Sequence, residues 1–376
     1  MRKIYFAFLL LFGFIFFNGC QKTIKETEPN KINLSTRDAK SFADSLASVT
    51  VGNSEVDPTV TKRYVYILKV DPKGNKKYTL KDGTFDWGGY DGIMAMECVV
   101  KTTVNSAQHN SCTVQVDPNY VCVGGGCQAN YNNGYGAYIT ESRPLLDKSG
   151  WVGSTVDHLR ANSHTITTYA IGLNVAGISR QTLFNNIIIK LDSSSSINLV
   201  GSPTKQVYSD YGYSIIGGGA KLTYNGAGGM LIESRASSST GYWTATGKDD
   251  ITSDPSGKIR TYLIEINNDS IPGFGRLQTA VKESTSSPNQ TGKITYNVYN
   301  TPWDGSSVIT CFGGKSNSSG YGRFFVELGY VPVTPIFPPP PPNPNVNDGM
   351  VVITKDHINA DSGTALGQII TIEKKP

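Results

Sequence analysis

From Arg63 onward, short runs rich in Tyr, Val, Ile and Thr alternate with clusters of Gly, Asn, Asp and Ser, the pattern of strands separated by turns. Ile166–Leu173, Ile259–Ile266 and Gln368–Glu373 each read as alternating strands. The pattern predicts an all-β, antiparallel protein. The one helical signal is short. Ser35 or Thr36 stands at the N-cap position of a segment running to Val49, with Phe42 and Leu46 four apart on one face.

An internal repeat organises the strands. Gly134-Tyr-Gly-Ala-Tyr-Ile-Thr-Glu141 recurs 92 residues later as Gly226-Ala-Gly-Gly-Met-Leu-Ile-Glu233, and after 94 more as Gly320-Tyr-Gly-Arg-Phe-Phe-Val-Glu327. A glycine cluster precedes each copy: Gly124–Gly126, Gly217–Gly219 and the shorter Gly313-Gly314. Trp151 matches Trp243, and Asp157-His158 matches Asp249-Asp250 and Asp356-His357. Glycines beside a strand permit positive φ and close backbone approach. The apolar pair after each Gly-x-Gly turn then begins a return strand.

These landmarks predict three tandem antiparallel β modules of about 93 residues, each a small sandwich or sheet. The layout is residues 114–205, 206–300 and 301–376, preceded by an N-terminal β segment at 61–113. Val99-Val100-Lys101 resembles Ile188-Ile189-Lys190 and Ala280-Val281-Lys282, so the N-terminal segment reads as a partial fourth copy, acting as a cap or closing a ring. The Pro-rich stretch at 333–346 falls inside the third module. There it reads as a stiff surface insertion rather than an interdomain linker.

The N-terminus carries an address. Arg2 and Lys3 precede a 14-residue apolar run, Ile4 to Phe17, which is too short to span a bilayer and suits a signal-peptide core. It ends at Phe17-Asn18-Gly19-Cys20, which resembles the lipobox of bacterial lipoproteins. The resemblance implies cleavage after residue 19, lipidation of Cys20 and, with Gln21 rather than Asp next, transport to the outer membrane. Residues 20–60 then hold the lipidated cysteine, a flexible tether and the short helix. The repeat itself resembles a module of uncharacterised secreted bacterial proteins over roughly residues 95–376, which implies an exported β module and no particular activity.

Composition narrows the function. Of 376 residues, 17% are charged and 38 are aromatic, enough to build a core and too ordered a mixture for a disordered chain. The formal charge is +4, and removing residues 1–19, with two basic and no acidic side chains, leaves +2. That is too mild for a nucleic-acid binder. Gly313-Gly314-Lys315-Ser316 ends like a phosphate-binding loop, but Ile309 occupies the required first glycine position. Neither a His-Glu-x-x-His nor a Gly-x-Ser-x-Gly motif is present.

The remaining chemistry has two readings at each position. Trp151 and Trp243 could be stacking platforms for a sugar or could be core. Asp157, Asp249 and Asp356, with His158 and His357, could accept ligand hydroxyls or cap turns. Glu141, Glu233 and Glu327 could supply paired carboxylates for hydrolysis, or could pair with Arg143, Arg235 or Lys248 as structure. An active site seldom recurs three times in one chain, which favours structure. Asp249-Asp250-Ile-Thr-Ser-Asp254 offers oxygen ligands of the kind Ca²⁺ takes, and no other cofactor is expected. In an exported chain Cys98, Cys112, Cys122 and Cys127 are disulfide candidates, leaving Cys311 a buried thiol. The expected function is a membrane-anchored, non-catalytic binding or adhesion protein for polysaccharide or a surface protein. The alternatives are a structural assembly component without a soluble ligand, or a secreted hydrolase.

Overall fold

The computed structural model describes residues 60–70, 76–80 and 91–374, except 133, 176–177, 195–201, 225–228, 238–240, 250–256, 268–275, 289, 300–306, 319, 321 and 332–348. The signal sequence, Cys20, the tether, the 35–49 helix and the Pro-rich stretch lie outside the described residues.

Each repeat contributes six strands. The first holds β3 (Asp91–Thr102), β4 (His109–Gln115), β5 (Val121–Asn130), β6 (Tyr138–Pro144), β7 (Gly150–Val156) and β8 (Thr165–Val175). A short helix, α1 (Arg180–Asn186), leads into the second repeat: β9 (Ile187–Ser193), β10 (Thr204–Tyr208), β11 (Tyr213–Thr223), β12 (Met230–Ala236), β13 (Tyr242–Lys248) and β14 (Lys258–Asn267). The third comprises β15 (Leu277–Thr285), β16 (Lys293–Tyr299), β17 (Val308–Ser318), β18 (Arg323–Val331), β19 (Gly349–Asp356) and β20 (Gly363–Lys374). An N-terminal hairpin, β1 (Val60–Val70) and β2 (Lys76–Leu80), adds to β3. The protein is therefore all-β, and every named strand pair is antiparallel.

The sheets do not coincide with the repeats. One runs β4-β7-β6-β11-β14-β9, joining half of the first repeat to half of the second. The next, β10-β13-β12-β17-β20-β15, joins the second to the third. The last, β16-β19-β18-β5-β8-β3-β1-β2, joins the third back to the first. The three repeats thus form a closed cycle. Its three seams are the pairings β6–β11, β12–β17 and β18–β5. Val99-Val100-Lys101 lies on β3, which pairs with β8 as β9 pairs with β14 and β15 with β20. It is the first strand of repeat one, and closure comes from β18 meeting β5. The strands flanking residues 332–348 pair with each other, Val331 opposite Gly349, so that stretch joins the two arms of a hairpin.

The glycine clusters follow from this topology. The first two start directly after a bulge, between Cys122 and Gly124 or Ile215 and Gly217, and the third, Gly313-Gly314, starts two residues after the bulge between Ile309 and Cys311. A Cβ at Gly124 would lie 2.0 Å from the Thr310 carbonyl oxygen, and one at Gly217 would lie 2.2 Å from that of Val123. β5 and β11 therefore approach a neighbouring bulged backbone at Gly124 and Gly217 too closely for a side chain, while β17 has Cys311 at the equivalent position. Among the described residues, positive φ falls elsewhere, for instance at Gly134 and Gly136 in the turn before β6.

In the first two repeats the second glycine of the cluster is the floor under a tryptophan. A Cβ at Gly125 would lie 2.6 Å from the Trp151 ring, and one at Gly218 would lie 2.4 Å from Trp243. By register the third repeat places Phe312 where the others have Gly125 and Gly218, and Met350 where they have the tryptophans. Bulk moves from one strand to its neighbour while the filled volume is kept, the kind of exchange that cores tolerate. These residues belong to the main core. A smaller core, with Tyr138, Met230 and Phe324 from equivalent positions of the three repeats, closes the other end of the return strands.

Candidate functional site

The recurring glutamates stand at the seams. In the first, Glu141 opposes Lys221. Its carboxylate is 2.5 Å from Arg143 Nε and 3.4 Å from Lys221 Nζ, and accepts a hydrogen bond from Ser154 Oγ at 3.0 Å. The second repeats this arrangement. Glu233 opposes Lys315, lies 2.9 Å from Arg235 and 3.5 Å from Lys315, and accepts from Thr246 Oγ1 at 3.2 Å. These carboxylates act as inter-repeat ties.

The third seam has lost that set. Glu327 opposes Gln128, not a lysine. Gly329 stands where Arg143 and Arg235 stand, and Ile353 where Ser154 and Thr246 stand. Glu327 Oε1 comes within 2.4 Å of the position a Gly329 Cβ would take, so the carboxylate occupies the space the missing side chain would need. Tyr169 OH donates to Glu327 Oε1 at 3.2 Å. The residue is 5% exposed, and burial pushes its carboxyl up to about 7, opposed by the Tyr169 hydrogen bond and the Lys293 charge. Burial and the neighbouring Glu327 also hold the Tyr169 hydroxyl well above its ordinary value.

The aspartate-histidine slots converge elsewhere. His158 from the first repeat and His357 from the third stack edge to face with ring centroids 5.0 Å apart, and His158 Nε2 lies 3.4 Å from Asp249 Oδ1 of the second. The Tyr138 ring of the small core meets His357 at 5.4 Å. Asp157 and Asp356 serve turns instead. Asp157 accepts from the Asn162 amide at 2.7 Å, and Asp356 from those of Gly292 and Asp361 at 2.9 and 3.3 Å. His158 is fully buried, and His357, Asp157, Asp249 and Asp356 are 5–9% exposed, so this cluster is closed to a polymer. Among the described residues, no three His, Cys, Asp or Glu side chains are placed to hold a metal ion. The acidic stretch beyond Asp249 lies outside them.

Two expectations are corrected. Trp151 and Trp243 are 1% and 0% exposed and donate their ring N–H to Ser142 and Ser234 at 3.0 and 3.1 Å. They are core residues, with no ring face open to a sugar. Cys98, Cys112, Cys122, Cys127 and Cys311 are all buried, and no disulfide joins them. Equivalent positions explain why: Cys122 aligns with Ile215 and Ile309, and Cys127 with Ala220 and Gly314, so these slots call for a small or medium apolar group and no bond. Burial raises the thiols of Cys98, Cys122 and Cys127 far above the ordinary value and pushes Cys311 up to about 11.

The repeat alignment already held the signal for the third seam. Arg143 and Arg235 stand two residues past their glutamates, and Gly329 two past Glu327. Tyr169 and Gln128 carried no such mark, because only the cyclic topology brings them to Glu327. Compared with known proteins, the chain matches no family model and no curated protein.

Proposed function

We propose that the protein is an outer-membrane lipoprotein, anchored through Cys20, whose closed β cycle is a non-catalytic scaffold for binding polysaccharide or another surface polymer. The observation that carries this reading is where the repeated polar residues go. Glu141 and Glu233 are held in ion pairs with Lys221 and Lys315 of the next repeat, and Asp157 and Asp356 cap turns, so these recurring polar residues serve the scaffold. What remains for function is the outer surface, where Tyr135, Tyr208, Tyr211 and Tyr299 are exposed. Several acyl chains at Cys20, at about 0.8 kcal/mol per buried methylene, would hold it stably at a membrane.

The test has two arms. Labelled palmitate should enter the full chain and be absent from a Cys20→Ser variant. The detergent-solubilised chain should be retarded in gels containing at least one soluble polysaccharide. Absence of label refutes the anchor, and migration unchanged by every polymer refutes the binding role.

One observation favours a second reading, a hydrolase built on a single degenerate copy. Glu327 is a buried carboxyl raised to about 7, as a general acid requires. Its burial at 5% exposure and its single hydroxyl donor argue for a seam residue instead.

A further inference from the structure

The edge strands β10 and β16 occupy equivalent places in their sheets, and each ends in an exposed tyrosine, Tyr208 (57%) and Tyr299 (44%). The equivalence is fixed by register. Val207 opposes Trp243 and Val298 opposes Met350, so the next residues, Tyr208 and Tyr299, correspond. Two residues earlier on the same outward face stands an amide that bonds the tyrosine hydroxyl. Tyr208 OH donates to Gln206 Oε1 at 2.9 Å, and Asn297 Nδ2 donates to Tyr299 OH at 3.2 Å. Each ring is backed on its inner side. Tyr208 packs on Tyr242 with centroids 5.3 Å apart, and Tyr299 lies over Gly349, whose Cβ would come within 2.9 Å of the ring. The first repeat places Gln115 in the same slot.

We propose that Gln206/Tyr208 and Asn297/Tyr299 are two equivalent stations for a neutral polysaccharide, each stacking one sugar on the outer ring face and hydrogen-bonding its hydroxyls through the amide. This rests on the polymer-binding reading above and names its site and ligand class. A fixed, half-covered aromatic ring offers apolar contact area at small entropic cost, with a polar tip beside it. Amides both donate and accept, as sugar hydroxyls do. Charge points the same way. Beside the first station Lys190 pairs with Asp210 at 2.5 Å and Lys205 with Asp192 at 2.6 Å, so these two lysines present no unpaired charge to an anionic polymer. Two stations on one rigid cycle give a long chain two points of attachment.

The test uses the full, detergent-solubilised chain in gels containing dextran, glycogen, xylan or mixed-linkage β-glucan, with alginate as the charged comparison. The wild type should be retarded by at least one neutral polymer. A Tyr208→Gln/Tyr299→Gln variant carries at both stations the residue the first repeat already has, and should fold. It should lose about tenfold or more in apparent affinity, as expected when two stacking contacts and their bivalence are removed. Tyr208→Phe/Tyr299→Phe should retain most of the binding. Unchanged retardation of the Gln variant overturns the stations and leaves the binding role standing. Retardation by alginate alone overturns the neutral ligand class. No retardation of the wild type overturns both the stations and the binding role.

Discussion

At the scale of single residues, Glu327 carries the clearest pH signature. Its carboxyl is raised to about 7 in the folded chain against 4.5 for an ordinary glutamate. A group raised on folding stabilises most below its unfolded value, and that stability is lost as pH rises through the folded value. Between about pH 4.5 and 7.5 its contribution therefore falls, by up to about 3 kcal/mol at 1.36 kcal/mol per pH unit. Urea midpoints measured across this range should fall with pH for the wild type and flatten for Glu327→Gln, which keeps the shape and removes the ionisation. A wild-type midpoint that rises over the same window contradicts this account of the seam. The thiols give a second prediction at this scale. The five buried cysteines should resist a thiol reagent in the native protein and react in denaturant, because burial keeps the reagent from the sulfur.

At the scale of elements, a tryptophan on a glycine is a unit that two strands make together. Trp151→Ala should cost about 3–5 kcal/mol of unfolding free energy, the usual range for deleting a large buried ring. The third repeat fills the same space from the opposite strand, so its substitutions should couple. Met350→Trp alone overpacks against Phe312, and Phe312→Gly alone leaves a cavity. Measured throughout in a Leu328→Ser background, which restores the hydroxyl that Ser142 and Ser234 present, the pair combined should cost less than the sum of the two single changes by about 1–3 kcal/mol. Additive costs in a thermodynamic cycle would mean the two positions do not share one space. The sequence foretells the parts of this unit and not the unit itself. Glycine clusters, tryptophans and return strands were all legible as landmarks at fixed spacing. That Gly125 lies under Trp151 was not, because the two meet through tertiary packing rather than spacing. For the same reason Trp151 and Trp243 invited a ligand role: a repeated aromatic looks alike in sequence whether it faces solvent or core.

At the scale of the molecule, three repeats were legible and their interlocking was not. A local pattern reports which strands exist, whereas the partner of an edge is decided by what the remaining chain leaves unpaired. Here β6 finds β11, β12 finds β17 and β18 finds β5, so every repeat is completed by another. No repeat then has a full sheet of its own, and unfolding should be one cooperative transition. The cycle also explains why the seam carboxylates recur. A tie needed at each junction is repeated at each junction, and only the closing seam, which joins the last repeat to the first, departs from the set. Its Glu327, Gln128 and Gly329 are the positions where copies under a common constraint have diverged.

The central claim is closure, and native-state hydrogen exchange at the seams tests it most directly. Cys127, Gln128, Glu327 and Leu328 pair across β18–β5. Adjacent pairs in an antiparallel ladder alternate in whether their amides point across it, so only the seam-directed amides report on closure. In a closed cycle these should exchange as slowly as the seam-directed amides at β6–β11, by opening that approaches global unfolding. In an open array β5 and β18 would be free edges, and exchange there faster by orders of magnitude than at the other two seams would contradict the account.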